Sequence, residues 1–217
     1  MLELNKVYCG DCLELMKEIP DGSIDCVVTD PPYGINIAAT GKVGGEKCCA
    51  VSDYGAQSWD AAIPTKEVFN EIFRISTNQI IFGGNYMIEH LYNSPCWLVW
   101  DKDNTGNFAD CELAWTSFKT ATRKIRWRWN GMLQENMKRK ETRYHPTQKP
   151  SGLFAEILNM YTQPGDTILD PFLGSGTTAV AALKTGRNFI GIEIDPKYCE
   201  IAQKRVDAEL AQTRLDL

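Results

Sequence analysis

The last third of the chain alternates between helical and strand-like patterns, and this alternation constrains the fold more than any other feature. The patterns predict helices over Ser151–Tyr161, Gly176–Lys184 and from Pro196 onward, with strands over Thr167–Asp170 and Asn188–Ile194. Strands that alternate with helices form a mostly parallel sheet whose two faces are covered by the helices. We therefore expect an α/β fold of the doubly wound, Rossmann-like kind.

The earlier part of the chain adds further strands to this expectation. Short apolar runs predict strands over Lys6–Cys9, Ile24–Thr29, Gln79–Phe82, Cys96–Trp100, Cys111–Trp115 and the alternating run Lys124–Trp129. Helical spacing predicts helices near Cys12–Ile19, Val68–Ile75 and Tyr86–Leu91. Residues 34–58 carry five glycines without periodicity, which predicts a long loop. Ligands of such sheets bind beyond the carboxyl ends of the strands.

Composition sets the class of protein. The chain has 217 residues, 43% of them hydrophobic and 24% charged, which predicts one globular domain over 1–217. The sequence has neither an apolar run of about 18 residues nor a signal-peptide pattern, so we expect a cytoplasmic protein without a membrane partner. Eight cysteines are too dilute for a disulfide scaffold. One C-x-x-C pair and two histidines favour buried thiols over a zinc site, and no metal is expected.

Charge is distributed unevenly along the chain. The net charge is −5, yet Lys119–Lys149 holds ten basic and two acidic residues, so this stretch carries +8 and the remainder −13. A basic segment on an acidic protein is typical of a surface that binds a polyanion. A solvated edge strand followed by a polar loop explains the same charges equally well.

Two motifs follow predicted strands. Asp170-Pro-Phe-Leu-Gly-Ser-Gly-Thr-Thr joins a strand to a helix, and Glu193 ends the next strand, where a carboxylate can accept hydrogen bonds from ribose hydroxyls. We interpret this loop as a site for S-adenosylmethionine. The alternatives are a tight turn that binds no ligand and a weak match to the nicotinamide-dinucleotide fingerprint over Gly174–Ala179. A Walker phosphate loop is excluded. The acidic residue before the glycines, Asp170, favours S-adenosylmethionine, a cationic sulfonium compound, over a ligand with a negatively charged pyrophosphate.

The second motif, Asp30-Pro31-Pro32-Tyr33, ends the strand Ile24–Thr29. The two prolines lack N–H donors and hold carbonyl acceptors in a fixed geometry. The Asp30 carboxylate and the Pro31 carbonyl can accept both hydrogens of an aromatic amino group and favour the electron-rich nitrogen of a transition state. Tyr33 can stack on a base. The alternative is a strand-ending turn with a buried tyrosine.

Together with His145-Pro-Thr-Gln-Lys-Pro150, these motifs resemble the β-class of amino-group DNA methyltransferases, which modify adenine N6 or cytosine N4. The catalytic motif comes first and the cofactor loop last, a circularly permuted order. The resemblance extends from Gly10 to the final helix. It implies the Rossmann-like methyltransferase fold, with S-adenosylmethionine as the cofactor. Taken alone, the residues 145–150 are also a proline-bounded linker.

The resemblance also implies roles for individual residues. The catalytic residues would be Asp30, Pro31, Pro32 and Tyr33. Cofactor contacts would come from Asp11, Cys12, Asp30, Thr147, Lys149, Asp170, Phe172, Gly174, Ser175, Gly176, Thr177 and Glu193. The place of the family's target-recognition region is taken here by about 101–144, where phosphates or base edges would be bound by Lys124, Arg126, Arg128, Lys138, Arg139, Lys140 and Arg143.

The predicted function is methyl transfer from S-adenosylmethionine to adenine N6 in double-stranded DNA, with the base flipped out of the duplex. Cytosine N4 is the alternative target; the cytosine enzymes more often have Ser where Asp30 stands. A nicotinamide-dependent oxidoreductase leaves the Asp30 motif unexplained, and a non-catalytic DNA-binding module does not require Asp30 and Asp170. The short recognition segment favours a homodimer, and the resemblance implies a bacterial or phage source.

Overall fold

The computed structural model describes residues 2–36, 42–43, 52–53, 60–104, 109–130, 133–145 and 147–215. Most of the loop predicted over 34–58 lies outside these ranges. The strands are β1 Lys6–Cys9, β2 Ile24–Thr29, β3 Lys42–Val43, β4 Ser52–Asp53, β5 Ser76–Phe82, β6 Trp97–Asp101, β7 Cys111–Thr116, β8 Arg123–Arg126, β9 Trp129–Asn130, β10 Leu133–Gln134, β11 Thr167–Asp170 and β12 Asn188–Glu193. The helices are α1 Cys12–Met16, α2 Lys66–Ile75, α3 Ser151–Tyr161, α4 Thr177–Lys184 and α5 Pro196–Leu215.

The chain forms two compact units, of which the first combines Met1–Asp30, Thr65–Ile81 and Gln148–Leu217. Its strands lie in the order β1-β12-β11-β2-β5, and every neighbouring pair is parallel. The central strands β2, β11 and β12 are mostly buried and have apolar residues in their interiors, as expected for a sheet that helices cover on both faces. This arrangement confirms the predicted doubly wound α/β fold.

The first strand of the chain pairs with the last one. Lys6 lies opposite Ile190, and Cys9 lies opposite Glu193, in a parallel ladder. The backbone N–H of Gly10 continues the pairing with a 2.9 Å hydrogen bond to the Glu193 carbonyl. The permuted motif order is thus built into the sheet, since β1 occupies the position that follows β12.

Helix α2 illustrates how the sequence pattern places a helix on the sheet. Its buried side chains are Val68, Phe69, Ile72 and Ile75, a spacing that forms one apolar stripe. Arg74 near its end donates to the Ile19 and Met16 carbonyls at 3.0 Å and pairs with Glu71. The helix is therefore fixed both by its apolar face and by its last cation.

The second unit comprises Pro31–Pro64 and Phe82–Thr147. Strand β6 lies between an antiparallel partner, β7, and a parallel partner, β8. Strands β9 and β10 form a separate two-stranded ladder, and so do β3 and β4. The predicted target-recognition segment, about 101–144, lies in this unit, and its role stays a prediction.

Two elements differ from the sequence predictions. The helix predicted over Tyr86–Leu91 is wrong: two 3₁₀ turns, Gly84–Tyr86 and Ile88–His90, stand there instead, separated by the buried Met87. The strand predicted over Lys124–Trp129 ends at Arg126, and Trp129 begins β9. The alternation persists in burial only in part, since Ile125 and Trp129 are buried and Trp127 is half-buried. Among the described residues, no helix is long and apolar enough to cross a membrane.

Candidate active site

Asp30 and Lys149 form a buried ion pair at the carboxyl end of β2. The Lys149 ammonium donates to Asp30 Oδ2 at 2.6 Å, and the lysine side chain is only 7% exposed, against 21% for the aspartate. Lys149 stands just before Pro150, the N-cap residue of α3. Two residues that are 119 positions apart in the sequence are thus brought together by the first unit.

Asp170 ends the neighbouring strand β11 and is the anchor of the glycine loop. Its carboxylate accepts hydrogen bonds from the Thr29 hydroxyl at 2.7 Å, the Thr178 hydroxyl at 2.5 Å and the Phe172 amide at 3.0 Å. Burial, with a smaller contribution from the charge of Asp30, raises the pKa of Asp170 to about 6 despite these three donors. A cation bound nearby would favour the ionised carboxylate.

The glycine loop leaves room on one side and is packed tightly on the other. Gly174 and Gly176 have φ values of 55° and 89°, which non-glycine residues rarely adopt. A Cβ on Gly176 would lie 3.1 Å from Ala202 of α5, whereas a Cβ on Gly174 would meet no atom of the described residues within 4 Å. The open space at Gly174 is where a ligand could approach the backbone.

The side chains of Ser175 and Thr177 tie this loop to the segment before α3. The Ser175 hydroxyl donates to Gln148 Oε1 at 3.0 Å, and the Thr177 hydroxyl donates to the Lys149 carbonyl at 3.2 Å. Both side chains are buried. The predicted contacts of Ser175 and Thr177 with a cofactor would therefore be made through their backbone atoms. Phe172, the other predicted cofactor contact of this loop with a large side chain, is half-buried and packs against the core.

Glu193 joins the loop to the end of β12. Its Oε2 accepts the Gly174 amide at 2.7 Å, and its Oε1 accepts the Asp195 amide at 2.8 Å. Burial raises the pKa of this carboxyl above its usual range. An ionised carboxylate offers about four acceptor positions, so two amides leave acceptor capacity for hydroxyl donors.

Asp11 and Cys12 follow β1, directly after the hydrogen bond between Gly10 and Glu193. Asp11 caps α1, because its Oδ1 accepts the Leu13 amide at 2.8 Å and the Glu14 amide at 3.3 Å. Burial and the nearby Asp11 raise the pKa of the Cys12 thiol to about 12. Cys12 is therefore a neutral thiol, suited to packing and not to nucleophilic chemistry.

In the second unit, Tyr33 is held on several sides. Its ring stacks on Tyr86 with the centroids 5.1 Å apart and the planes inclined by 16°. Its hydroxyl donates to Glu112 Oε2 at 3.4 Å, and Glu112 also pairs with Lys102. The ring lies so close to Gly83 that a Cβ there would be 2.1 Å from Tyr33 Cε1.

Asp60 is a functional candidate that the sequence reasoning missed. Its Oδ1 accepts the backbone amides of Tyr33 at 2.7 Å and Gly34 at 3.0 Å, and the residue is 2% exposed. This single carboxylate fixes the backbone that follows the two prolines. Nothing in the sequence around Asp60 marks it, since it is one acidic residue at the end of a glycine-containing stretch.

Thr147, also in the second unit, hydrogen-bonds to His145 Nδ1.

The predicted DNA-binding cations differ in their surroundings. Lys138, Arg139 and Lys140 are exposed, and Asn136 Oδ1 accepts two amides of that turn at 3.1 Å. The Arg143 guanidinium lies 4.3 Å from the centre of the Trp129 ring. Three cations in and just after β8 are paired instead: Lys124 is bound to Asp101, and Arg126 and Arg128 are bound to Asp103.

Comparisons with known proteins identify the family and the fold of the chain. A family model described as DNA methylase, of the N6/N4 methyltransferases, matches residues 88–204. The Type II methyltransferase M.HinfI of Haemophilus influenzae is 29% identical over 94% of this chain and 68% of that protein. The M1.HpyAVI–SAM complex is a solved structure with a TM-score of 0.57 and 25% identity over 92% of this chain and 98% of that one. The cytosine-N4-specific PvuII DNA methyltransferase shares the fold, with a TM-score of 0.60 and 17% identity over 94% and 89% of the two chains.

The family model matches more than half of the chain, and the two motifs predicted from the sequence each follow a strand of a parallel sheet. The chain belongs to the DNA methylase family whose members modify amino groups at N6 or N4.

Proposed function

We propose that this protein transfers a methyl group from S-adenosylmethionine to the N6 amino group of adenine in DNA. The observation that carries the proposal is the position of Asp30, an aspartate carboxylate at the carboxyl end of β2, next to the strand that leads into the glycine loop. Family membership indicates methyl transfer to an amino group of DNA. The aspartate at position 30, where cytosine enzymes more often have serine, favours adenine as the target base.

The residues of the first unit fit the cofactor. The open space at Gly174, the acceptor capacity of Glu193 and the raised pKa of Asp170 match a ligand with ribose hydroxyls and a positive charge. M1.HpyAVI, solved with this compound, shares the fold. S-adenosylmethionine supplies an activated methyl group, so the protein needs no nucleophile of its own.

Asp30 acts on the amino group. The lone pair of an aromatic amine is delocalised into its ring, which makes the nitrogen a poor nucleophile. Hydrogen bonds from this nitrogen to the Asp30 carboxylate and the Pro31 carbonyl favour the pyramidal nitrogen of the transition state. Lys149 holds Asp30 Oδ2 in place. After transfer, the amino nitrogen loses one proton to Asp30 or to solvent.

The target base must leave the duplex before it can reach Asp30. Tyr33 follows Asp30 by three residues, and its ring offers a surface on which a flipped base stacks. The exposed cations Lys138, Arg139 and Lys140 would bind phosphates. We expect a homodimer, which size-exclusion chromatography with light scattering would show.

The direct test is to identify the methylated base. DNA is incubated with the purified protein and labelled S-adenosylmethionine, then hydrolysed, and the modified nucleosides are separated by mass spectrometry. We expect N6-methyladenine from the wild type and none from Asp30→Asn, which keeps an oxygen acceptor but loses the charge. N4-methylcytosine would refute the adenine assignment. Failure of the wild type to incorporate label into any DNA would refute the proposed reaction.

A further inference from the structure

Cations in and just after β8 meet carboxylates that lie at and just after the end of β6. The two strands are parallel neighbours, with Asp101 opposite Arg126. Two residues further on, a single oxygen of Asp103, Oδ2, accepts hydrogen bonds from Arg126 Nη2 at 2.9 Å and from Arg128 Nε at 2.9 Å. The Nη2 of Arg128 donates to the same oxygen.

Glu135 also contacts both of these arginines. Its Oε1 lies 3.9 Å from Arg126 Nη1, and its Oε2 accepts the backbone amide of Arg128 at 2.9 Å. We call these four residues, Asp103, Glu135, Arg126 and Arg128, the Asp103 cluster. The cluster has two positive and two negative side chains and therefore carries no net charge, although three of its four members lie in the most basic segment of the sequence.

The carboxylate of Asp103 is fixed by its own backbone. Asp103 has a φ of 50°, and its amide donates to Asp101 Oδ1 at 2.9 Å. Aspartate and asparagine tolerate this left-handed conformation better than most residues do. The two arginines also lower the pKa of Asp103, so that it remains charged at neutral pH. The group is therefore assembled before any DNA arrives.

The cluster is accessible to DNA. The side chains of Arg126 and Arg128 are 53% and 40% exposed, and that of Asp103 is 33% exposed. Exposed ion pairs contribute little to the stability of a fold, so stability does not account for this arrangement. A phosphate binds a guanidinium through the same N–H groups as a carboxylate does. Asp103 therefore competes with the DNA backbone for the two arginines.

We propose that Asp103 is a specificity-determining residue that suppresses sequence-independent DNA binding by occupying the guanidinium groups of Arg126 and Arg128. This inference rests on the proposed function, in which DNA is the substrate. Phosphates are present at every position of any duplex, whereas the correct site offers further contacts. A carboxylate that weakens phosphate binding lowers the affinity for all sequences and leaves discrimination to those further contacts.

The experiment compares the salt dependence of binding to a duplex of arbitrary sequence. Each phosphate contact contributes about 0.9 to the slope of log affinity against log salt concentration. Asp103→Asn keeps the backbone preference and removes the charge, and we expect it to bind more tightly with a slope steeper by up to about 1.8, the value for two recovered contacts. The measurement is fluorescence anisotropy of a labelled duplex across a salt series.

Two controls separate this effect from a general change in charge. Asp110→Asn removes the same charge from another exposed residue of the second unit and should leave the slope close to that of the wild type. Adding Arg126→Ala and Arg128→Ala to Asp103→Asn should abolish the gain. An unchanged or shallower slope for Asp103→Asn, or an equal gain from Asp110→Asn, would overturn the inference. A steeper slope specific to Asp103→Asn supports it even if the wild type methylates no DNA, in which case the proposed reaction alone is refuted.

Discussion

Removing Asp30 should affect the fold as well as the reaction, because it removes the carboxylate that pairs with the Lys149 ammonium. Asp30→Ala deletes the carboxylate that lies 2.6 Å from the ammonium, and the lysine side chain is 7% exposed. Breaking one partner out of a buried ion pair typically costs about 3–5 kcal/mol. Proteins of this size lose roughly 2–4 °C of melting temperature per kcal/mol, so we expect a decrease of about 6–20 °C.

The magnitude depends on the charge that remains, and a second substitution tests this directly. Lys149→Met in the Asp30→Ala background removes the ammonium that has lost the Asp30 carboxylate and keeps a side chain of similar length. Apolar replacement of a whole buried pair is often neutral. We therefore expect the double variant to recover most of the lost stability while both variants remain inactive. Asp30→Asn, which keeps an acceptor for the ammonium, should fall between Asp30→Ala and the wild type.

The assay is urea unfolding followed by circular dichroism, with methyl transfer measured on the same preparations. The free energies of unfolding of the wild type, Asp30→Ala, Lys149→Met and the double variant give the coupling between the two side chains. If Asp30→Ala unfolds at the same urea concentration as the wild type, other groups or water stabilise the Lys149 ammonium, and our reasoning about the ion pair is wrong. A double variant less stable than Asp30→Ala would be equally damaging.

Three further predictions concern the neighbouring residues. Asp170 has a pKa of about 6 when folded and about 3.9 when unfolded, so its ionisation lowers the stability of the fold as the pH rises through 4–6. We expect Asp170→Asn to be more stable than the wild type at pH 7 by roughly 1–3 kcal/mol. At pH 4 the two should be nearly equal, as measured by urea unfolding at both pH values. Gly83→Ala places a Cβ against the Tyr33 ring, so turnover should fall by about tenfold or more while cofactor affinity by calorimetry is retained. Glu193→Ala should weaken cofactor binding by about tenfold or more through lost hydrogen bonds, and an unchanged dissociation constant would move the ribose site elsewhere.

The elements predicted well are those whose signals are local. The strand Thr167–Asp170 and the helix Ser151–Tyr161 have the predicted bounds, because a proline precedes the helix and a Pro-Gly turn precedes the strand. The helix expected at Tyr86–Leu91 has an apolar pattern too short to form a helix without tertiary support. There the buried Met87 divides the segment into two 3₁₀ turns.

The residues of the candidate site were predictable where they belong to motifs and unpredictable where they act through distant partners. Asp30, Asp170 and Glu193 each end a strand of one parallel sheet, which the sequence indicates. Asp60 acts through two amides more than twenty-five positions away, and sequence spacing contains no sign of that. The count of +8 over Lys119–Lys149 likewise omits Asp103, which lies outside the segment and neutralises charge within it.

The pairing of β1 with β12 has a consequence for how the protein folds. Asn5 and Phe189 are hydrogen-bonded across 184 positions of sequence, and the first unit is assembled from three separate stretches of chain. Contacts of such high sequence separation must overcome a large loop-closure entropy and slow folding. During synthesis, β1 leaves the ribosome long before β12, the strand with which it pairs in the sheet. The nascent chain therefore exposes the unpaired edge of β1 until β12 has been synthesised, and unpaired strand edges of this kind aggregate readily.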